Sequence, residues 1–195
     1  MEYVWLIVLW LAFGLLHSIF AATRFKRPFK AAMKGNFKYY RIIYSVFAAI
    51  SLTAILWYHD SINTAFLWNN STLEKTVAVI FFVPAIIIMS LCVKKYFMDL
   101  SGVDVFVKGR PIQPLHLETG GMHRFVRHPL YFGTLLFVWC IFLWQPSISN
   151  FISSTCLTSY TLLGIYFEER KLVKEFGDEY VAYSRRVPML VPGIG

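Results

Sequence analysis

Five stretches of this chain are apolar enough to read as membrane crossings, and they leave little room for any other kind of fold. A helix that crosses a bilayer needs about 20 mostly apolar residues, because hydrocarbon offers its backbone no hydrogen-bond partner. Tyr3–Ala22, Tyr40–Tyr58, Val77–Val93, Leu130–Trp144 and Phe151–Phe167 have that character. The fourth is short, and Pro84 is expected to kink the third. Gln145-Pro146 and Asn150 mark a tight turn between the last two. The expected fold is therefore an all-α integral membrane protein with about five transmembrane helices. The last two form a short hairpin, and an amphipathic C-terminal helix follows it on the cytoplasmic side.

Composition supports this reading. The chain is 57% hydrophobic and 15% charged, where a soluble domain carries about 25% charged residues. Its 195 residues suit one domain, 1–195, with three spans in 1–93 and a loop, the hairpin and the C-terminal helix in 94–195. A net charge of +8 on a soluble protein would raise the question of nucleic acid. On this chain it points to basic loops facing anionic membrane lipid, with no nucleic acid partner. Cys92, Cys140 and Cys156 each lie in an apolar stretch and read as buried free thiols, with no metal site. The first apolar run is too long for a cleavable signal, and no basic residue precedes it.

Lys and Arg give an orientation. The segment after the first span carries Arg24, Lys26, Arg27, Lys30, Lys34, Lys38 and Arg41. Lys94, Lys95, Lys108, Arg110, Arg124 and Arg127 lie between the third and fourth spans, and Arg170, Lys171, Lys174, Arg185 and Arg186 in the tail. Together these are 18 of the 19 basic residues, and Lys75 is the exception. Five spans with the N-terminus outside and the C-terminus in the cytoplasm put all 18 on one side, as the positive-inside rule requires.

Two clusters carry chemistry. The first is Val126-Arg127-His128-Pro129-Leu130-Tyr131-Phe132-Gly133. Pro129 suits the first turn of a helix, so Arg127 and His128 sit at a helix mouth that favours an anionic group. The plain alternative is a snorkelling Arg-His pair at the membrane boundary. The second is Glu168-Glu169, directly after Tyr166-Phe167. Two carboxylates at the end of a span need solvent or cations. Either the helix continues to Phe176 and turns them toward a polar cavity, or they are a solvated interfacial turn with Glu168–Lys171 support. Downstream, Tyr180 and Tyr183 share one helix face, and Pro188 and Pro192 are expected to end that helix, which would suit an interfacial lid.

Arg127-His128-Pro129-Leu130-Tyr131, a short hairpin, Glu168-Glu169, Leu172, Phe176-Gly177, Tyr180, Tyr183 and Val187-Pro188 resemble, in order and spacing, the isoprenylcysteine carboxyl methyltransferase and phospholipid methyltransferase superfamily. The resemblance runs from about Leu115 to Pro192. It implies a membrane-embedded methyltransferase that uses S-adenosylmethionine. On that likeness His128 and Tyr131 fall on cofactor-contacting positions, as do Leu117, Gly121 and His123 in the preceding loop. Glu168 and Glu169 match the family's paired acids, the first expected to hold the cofactor's amino acid or ribose portion. Arg127 would serve catalysis or the cofactor's carboxylate.

This sequence also departs from the pattern. His123 stands where the family usually has Tyr. Gly164 stands where the isoprenylcysteine enzymes carry an arginine for the substrate's carboxylate side. Leu16-His17-Ser18, Tyr40-Arg41-Ile42-Ile43-Tyr44, Asp99-Leu100-Ser101-Gly102-Val103 and the ending Arg186-Val187-Pro188-Met189-Leu190-Val191-Pro192 are instead similar to the bacterial branch that includes methanethiol S-methyltransferases. That likeness implies a bacterial inner-membrane protein whose methyl acceptor is a small or lipophilic thiol. His17 then becomes a candidate base, since its neutral form exists at pH 7, against the plainer reading of a hydrogen-bonded packing residue. Isoprenylcysteine carboxyl O-methylation and phospholipid N-methylation remain alternatives. From other classes come a sterol-reductase-like protein using NADPH and a non-enzymatic membrane scaffold. Adjacent carboxylates disfavour the phosphates of NADPH, and no GxGxxG sequence occurs.

Overall fold

A computed structural model describes residues 1–101, 103 and 116–193, the side chains of 23, 24 and 97–100 excepted. Lys108, Arg110, Leu115 and Gly102 therefore lie outside the described residues, as do the side chains of Asp99 and Leu100. The described secondary structure is helical: α1 (Glu2–Ala21), α2 (Thr23–Met33), α3 (Tyr40–Ser61), α4 (Thr72–Ser101), α5 (Pro129–Trp144), α6 (Ile148–Phe176) and α7 (Asp178–Ser184). Short 3₁₀ turns occupy Lys34–Tyr39 and Gly121–Arg124. Three stretches are long and apolar enough to cross a membrane, namely Glu2–Ala21, Phe25–Ser61 and Thr72–Tyr96. Helix α5 is apolar but has only 16 residues, and α6, rich in Ser and Thr, is not among the three.

The chain divides into two compact units, 1–65 with 96–111, and 66–95 with 112–195. In the first unit α1 packs on α3. Tyr40 Oη donates to the Phe20 carbonyl at 2.9 Å, Tyr44 Oη lies 2.7 Å from His17 Nε2, and Tyr58 Oη donates to the Glu2 carbonyl at 3.2 Å. These pairs run in opposite directions along the two helices, so α1 and α3 are antiparallel. Leu6, Trp10 and Ile55 are buried, while Leu11 and Ile50 face outward, as helices do in a lipid solvent.

The basic segment after the first span reads from sequence as a connection, but it folds into α2. Phe25 packs at a tilt on Phe29 one turn on and edge-on against Phe20 of α1, and Phe29 meets Tyr40 of α3. This aromatic stripe gives the segment a packed face and leaves Lys26, Arg27 and Lys30 for the polar one, the pattern of an interfacial helix.

In the second unit α4 continues through Pro84. Helix α5 crosses α4 where Gly133 faces it: a Cβ on Gly133 would lie 3.0 Å from Ile88 Cγ2 and Met89 Cγ and 3.4 Å from the Ala85 carbonyl oxygen. Small residues at such crossings let membrane helices pack closely. Helices α5 and α6 form the expected hairpin. Ser147 caps α6 by accepting from the Asn150 N–H at 3.2 Å, and Asn150 Nδ2 donates to the Gln145 carbonyl at 2.8 Å. The three cysteines are free; Cys92 and Cys140 are buried, whereas Cys156 is only half-buried. Gly177, at φ +55°, adopts the left-handed conformation that ends α6 and sends α7 back along it.

Candidate functional site

The candidate cluster forms where the mouth of α5 meets the far end of α6, both in the second unit. Pro129 takes the first helical position of α5, and His128 stands just before it. That places Arg127 and His128 on a segment of non-helical backbone whose own N–H groups need partners. The tail supplies them: the Arg127 N–H donates to the Pro188 carbonyl at 2.9 Å and the His128 N–H to the Met189 carbonyl at 3.2 Å. The helix of the tail therefore stops at Ser184, earlier than Pro188 requires, because the carbonyls beyond it are drawn toward Arg127.

Glu169, on α6, is the centre of the cluster. Its Oε1 accepts from Arg127 Nε at 3.0 Å, His128 Nε2 at 2.7 Å and Tyr180 Oη at 2.5 Å, and its Oε2 accepts from Arg127 Nη2 at 3.1 Å. The Arg127–Glu169 contact is the two-pronged fork that a planar guanidinium makes with a carboxylate. Arg127 Nη1 also donates to the carbonyls of Ser184 at 2.7 Å and Val187 at 2.9 Å. Burial alone pushes the Glu169 carboxyl up, but the hydrogen bonds from Tyr180 and His128 and the Arg127 guanidinium outweigh it and hold it below the usual range. Burial, with the carboxylate beside it, pushes the Tyr180 phenol well above its ordinary value. Tyr180 thus remains a donor at any physiological pH.

Glu168 lies differently. Its Oε2 is 3.8 Å from His128 Nδ1, beyond hydrogen-bond reach, and its side chain is 41% exposed. The two adjacent acids are about 100° apart around the helix, so one is enclosed by Arg127, His128 and Tyr180 while the other borders the cluster. Tyr131 stacks on the His128 ring at 5.6 Å. His123 Nδ1 donates to the Arg127 carbonyl at 3.0 Å, and its own carbonyl accepts from Tyr183 Oη at 2.7 Å. A ring hydrogen on Nδ1 is required there, because a carbonyl only accepts. Burial pushes the His123 imidazole down. Gly121, at φ +59°, opens the 3₁₀ turn that carries His123, and half-buried Leu117 lies four residues earlier on the same segment. Lys95 Nζ pairs with Glu118 Oε2 at 3.0 Å, which draws the Glu118 carboxyl below its ordinary value.

The structure therefore brings together Arg127, His128, Tyr131, Glu168, Glu169 and His123. It commits four of Arg127's donor contacts to Glu169 and to tail carbonyls, which makes that side chain a clamp. His17 belongs to the first unit, where Tyr44 is its partner. The roles of Tyr180 and Tyr183 are visible in sequence only as a shared helix face. Both are in fact buried, each with its hydroxyl directed to one acceptor.

Comparison with known proteins finds methyltransferase relatives. The chain is 30% identical over 192 residues to a methanethiol S-methyltransferase of Crocosphaera subtropica, covering 94% of this chain and 72% of that protein. It is 29% identical over 185 residues to methanethiol S-methyltransferase 1 of Bradyrhizobium diazoefficiens, covering 92% of this chain and 63% of that protein. A protein-S-isoprenylcysteine O-methyltransferase of Schizosaccharomyces pombe is 38% identical over 80 residues, 39% of this chain and 33% of that protein. No solved structure matches. Apolar spans, a polar cluster at the helix mouth and methyltransferase relatives define a membrane methyltransferase. The NnrU protein family model matches residues 5–192, and the chain belongs to that family.

Proposed function

We propose that the whole chain, 1–195, acts as one S-adenosylmethionine-dependent methyltransferase whose acceptor is a small or lipophilic thiol, methylated on sulfur. The observation that carries this reading is the division of labour between the paired acids. Glu169 is saturated by Arg127, His128 and Tyr180, while Glu168 keeps an accessible carboxylate at the edge of the same cluster. A carboxylate in that setting suits the ammonium and ribose hydroxyls of S-adenosylmethionine, whose sulfonium supplies an activated methyl group. Tyr131 and His128 offer stacked rings beside it, and Leu117, Gly121 and His123 belong to the loop that would complete the cofactor's surroundings. Arg127 is a positioning residue in this scheme, because it holds Glu169, the tail and the start of α5 together.

Methyl transfer from a sulfonium has a good leaving group, so the protein's chief tasks are alignment and exclusion of water. A thiol acceptor has to reach its thiolate form, and His17, paired with Tyr44, is the candidate proton acceptor. A carboxylate acceptor would need a cation instead. Position 164 supplies none, and a side chain added there would meet open space. The named relatives that cover most of this chain methylate methanethiol, which favours sulfur over carboxylate or phospholipid amine.

The test uses purified protein in detergent, labelled S-adenosylmethionine, and methanethiol, longer alkyl thiols, farnesylcysteine and phosphatidylethanolamine as acceptors. Labelled thioether is expected, with a rate that climbs as pH rises toward the thiol's pKa. Methylation of farnesylcysteine alone would overturn the acceptor, and binding of NADPH without S-adenosylmethionine would overturn the reaction class. A His17→Ala loss that Tyr44→Phe partly reproduces, and that high pH rescues, supports the proton role.

A further inference from the structure

At the end of α5 remote from His128, the second unit carries a polar cleft joined to an apolar furrow. The cleft has a volume of about 370 Å³, and its lining includes Trp68, Asn69, Lys75, Trp144 and Gln145. The furrow, about 290 Å³, runs between α4 and α5 and is lined by Ala78, Val79, Phe82, Cys140, Ile141 and Trp144. Trp144 belongs to both. Helix α5 rises about 1.5 Å per residue over 16 residues, so this end lies roughly 24 Å from the Arg127–Glu169 cluster. That separation is close to the thickness of a bilayer's hydrocarbon core and excludes the cleft from cofactor binding.

The furrow has a structural cause. Helices α4 and α5 touch at Gly133, and the Phe82–Phe137 ring pair, 5.3 Å apart, closes the space above that crossing. Beyond the rings the facing residues are the small, buried Ala78 and Cys140, with exposed Val79, Phe82 and Trp144 as walls. Lys75, Ala78, Val79 and Phe82 have the i, i+3, i+4, i+7 spacing of one helix face. One stripe of α4 therefore carries a cation at the cleft and an apolar track below it.

The cleft is firmly built. Asn70 Nδ2 donates to the carbonyls of Leu143 at 2.8 Å and Trp144 at 2.6 Å, and Trp68 packs edge-on against Phe142. Glu74, beside Lys75, accepts from the Ser71 N–H at 2.7 Å and from its hydroxyl, and its carboxylate also meets the Trp68 side chain. Its charge caps the start of α4, and Lys75 is the one charged side chain among the described lining residues.

We propose that this compound site holds one phospholipid, with its phosphate on Lys75 between Trp68 and Trp144 and one acyl chain in the furrow. A cation flanked by tryptophans is the usual arrangement at headgroup depth. Apolar packing alone would not favour one lipid over its neighbours, because hydrocarbon is as apolar as the furrow. The joined cation and furrow do favour one.

The experiment uses the full-length protein in mixed micelles with phosphatidylglycerol carrying a photoreactive group in one acyl chain. Mapped crosslinks are expected on Val79, Phe82 and Ile141. Native mass spectrometry should show one retained lipid, and Lys75→Glu should reduce its retention about tenfold. Ala78→Trp, which fills the furrow and keeps the cation, should displace the acyl chain independently. Crosslinks spread equally over outward residues such as Leu11 and Ile50 would overturn the proposal. So would unchanged retention in both variants, displacement by inorganic phosphate alone, or displacement by an equimolar long-chain thiol, which would assign the furrow to an acceptor.

Discussion

Replacing Tyr180 by Phe removes one hydroxyl from a side chain that is 1% exposed and leaves its packing in place. The lost bond is the 2.5 Å donation to Glu169 Oε1, a hydrogen bond to an ionised acceptor. Such bonds contribute about 1.5–3 kcal/mol. At roughly 2–4 °C per kcal/mol for a chain of this size, the melting temperature should fall by about 3–12 °C. Tyr183→Phe is the matched control. It removes a 2.7 Å bond to the neutral His123 carbonyl, worth about 0.5–1.5 kcal/mol, and should cost visibly less. Both variants are melted in the same detergent by intrinsic fluorescence. Acid supplies a second readout. Because the folded-state pKa of Glu169 is depressed, its stabilisation is complete above the ordinary glutamate value near 4.3 and is lost as pH falls through the folded value. The gap between wild type and Tyr180→Phe should therefore narrow as pH drops below about 4.3. A Tyr183→Phe loss as large as that of Tyr180→Phe, or a gap that does not change with acid, would refute the picture of a charged keystone at Glu169.

Glu168→Gln should leave the fold intact and weaken S-adenosylmethionine binding about 10- to 100-fold, for the loss of one charge-assisted hydrogen bond; unchanged affinity by calorimetry would reject that role. Gly133→Val places a branched side chain where a Cβ is already 3.0 Å from Ile88 and Met89, and overpacking of this kind should cost about 1–3 kcal/mol in a thermal melt. Cysteines introduced at Lys30, Arg110 and Arg185 should react with an impermeant thiol reagent from the same side of the membrane; one reacting from the opposite side would sink the five-span topology.

The apolar helices were legible because hydrocarbon imposes a composition that a sequence displays directly. Tyr40–Tyr58 and Leu130–Trp144 lie within two or three residues of the ends of α3 and α5 for that reason. The α5–α6 hairpin was legible from Gln145-Pro146 and Asn150, which are turn and capping residues. Helix α2 was not, because its apolar face rests on Phe25, Phe29 and Met33, too few to stand out among cations until Phe20 and Tyr40 are seen packing on the two rings. The spacing of Tyr180 and Tyr183 puts them on one helix face, and both rings are buried. Their partners, Glu169 and the His123 carbonyl, lie 11 and 60 residues away in sequence, and spacing within one segment cannot report partners at such a range.

Arg127 shows how the same gap affects the reading of chemistry. An arginine at a helix mouth, viewed locally, is an anion site open to any ligand. In the folded chain the anion it meets is Glu169, on the second helix of the hairpin, and the carbonyls of Ser184 and Val187 take its remaining prongs. One carboxylate thereby fixes three separate segments: the residues entering α5, the end of α6 and the tail. The adjacent Glu168 is then held at the border of the cluster without being consumed by it. A single acid could not both hold Arg127, His128 and Tyr180 and remain available to a cationic ligand. Two consecutive acids on one helix can, because successive side chains point in different directions around the axis. On this argument Glu169→Gln should lower stability and cofactor affinity together, whereas Glu168→Gln should lower affinity alone. A thermal melt and a binding isotherm on the same two preparations separate the outcomes. Equal destabilisation by both substitutions would mean that the pair acts as one structural unit and that the cofactor is held elsewhere.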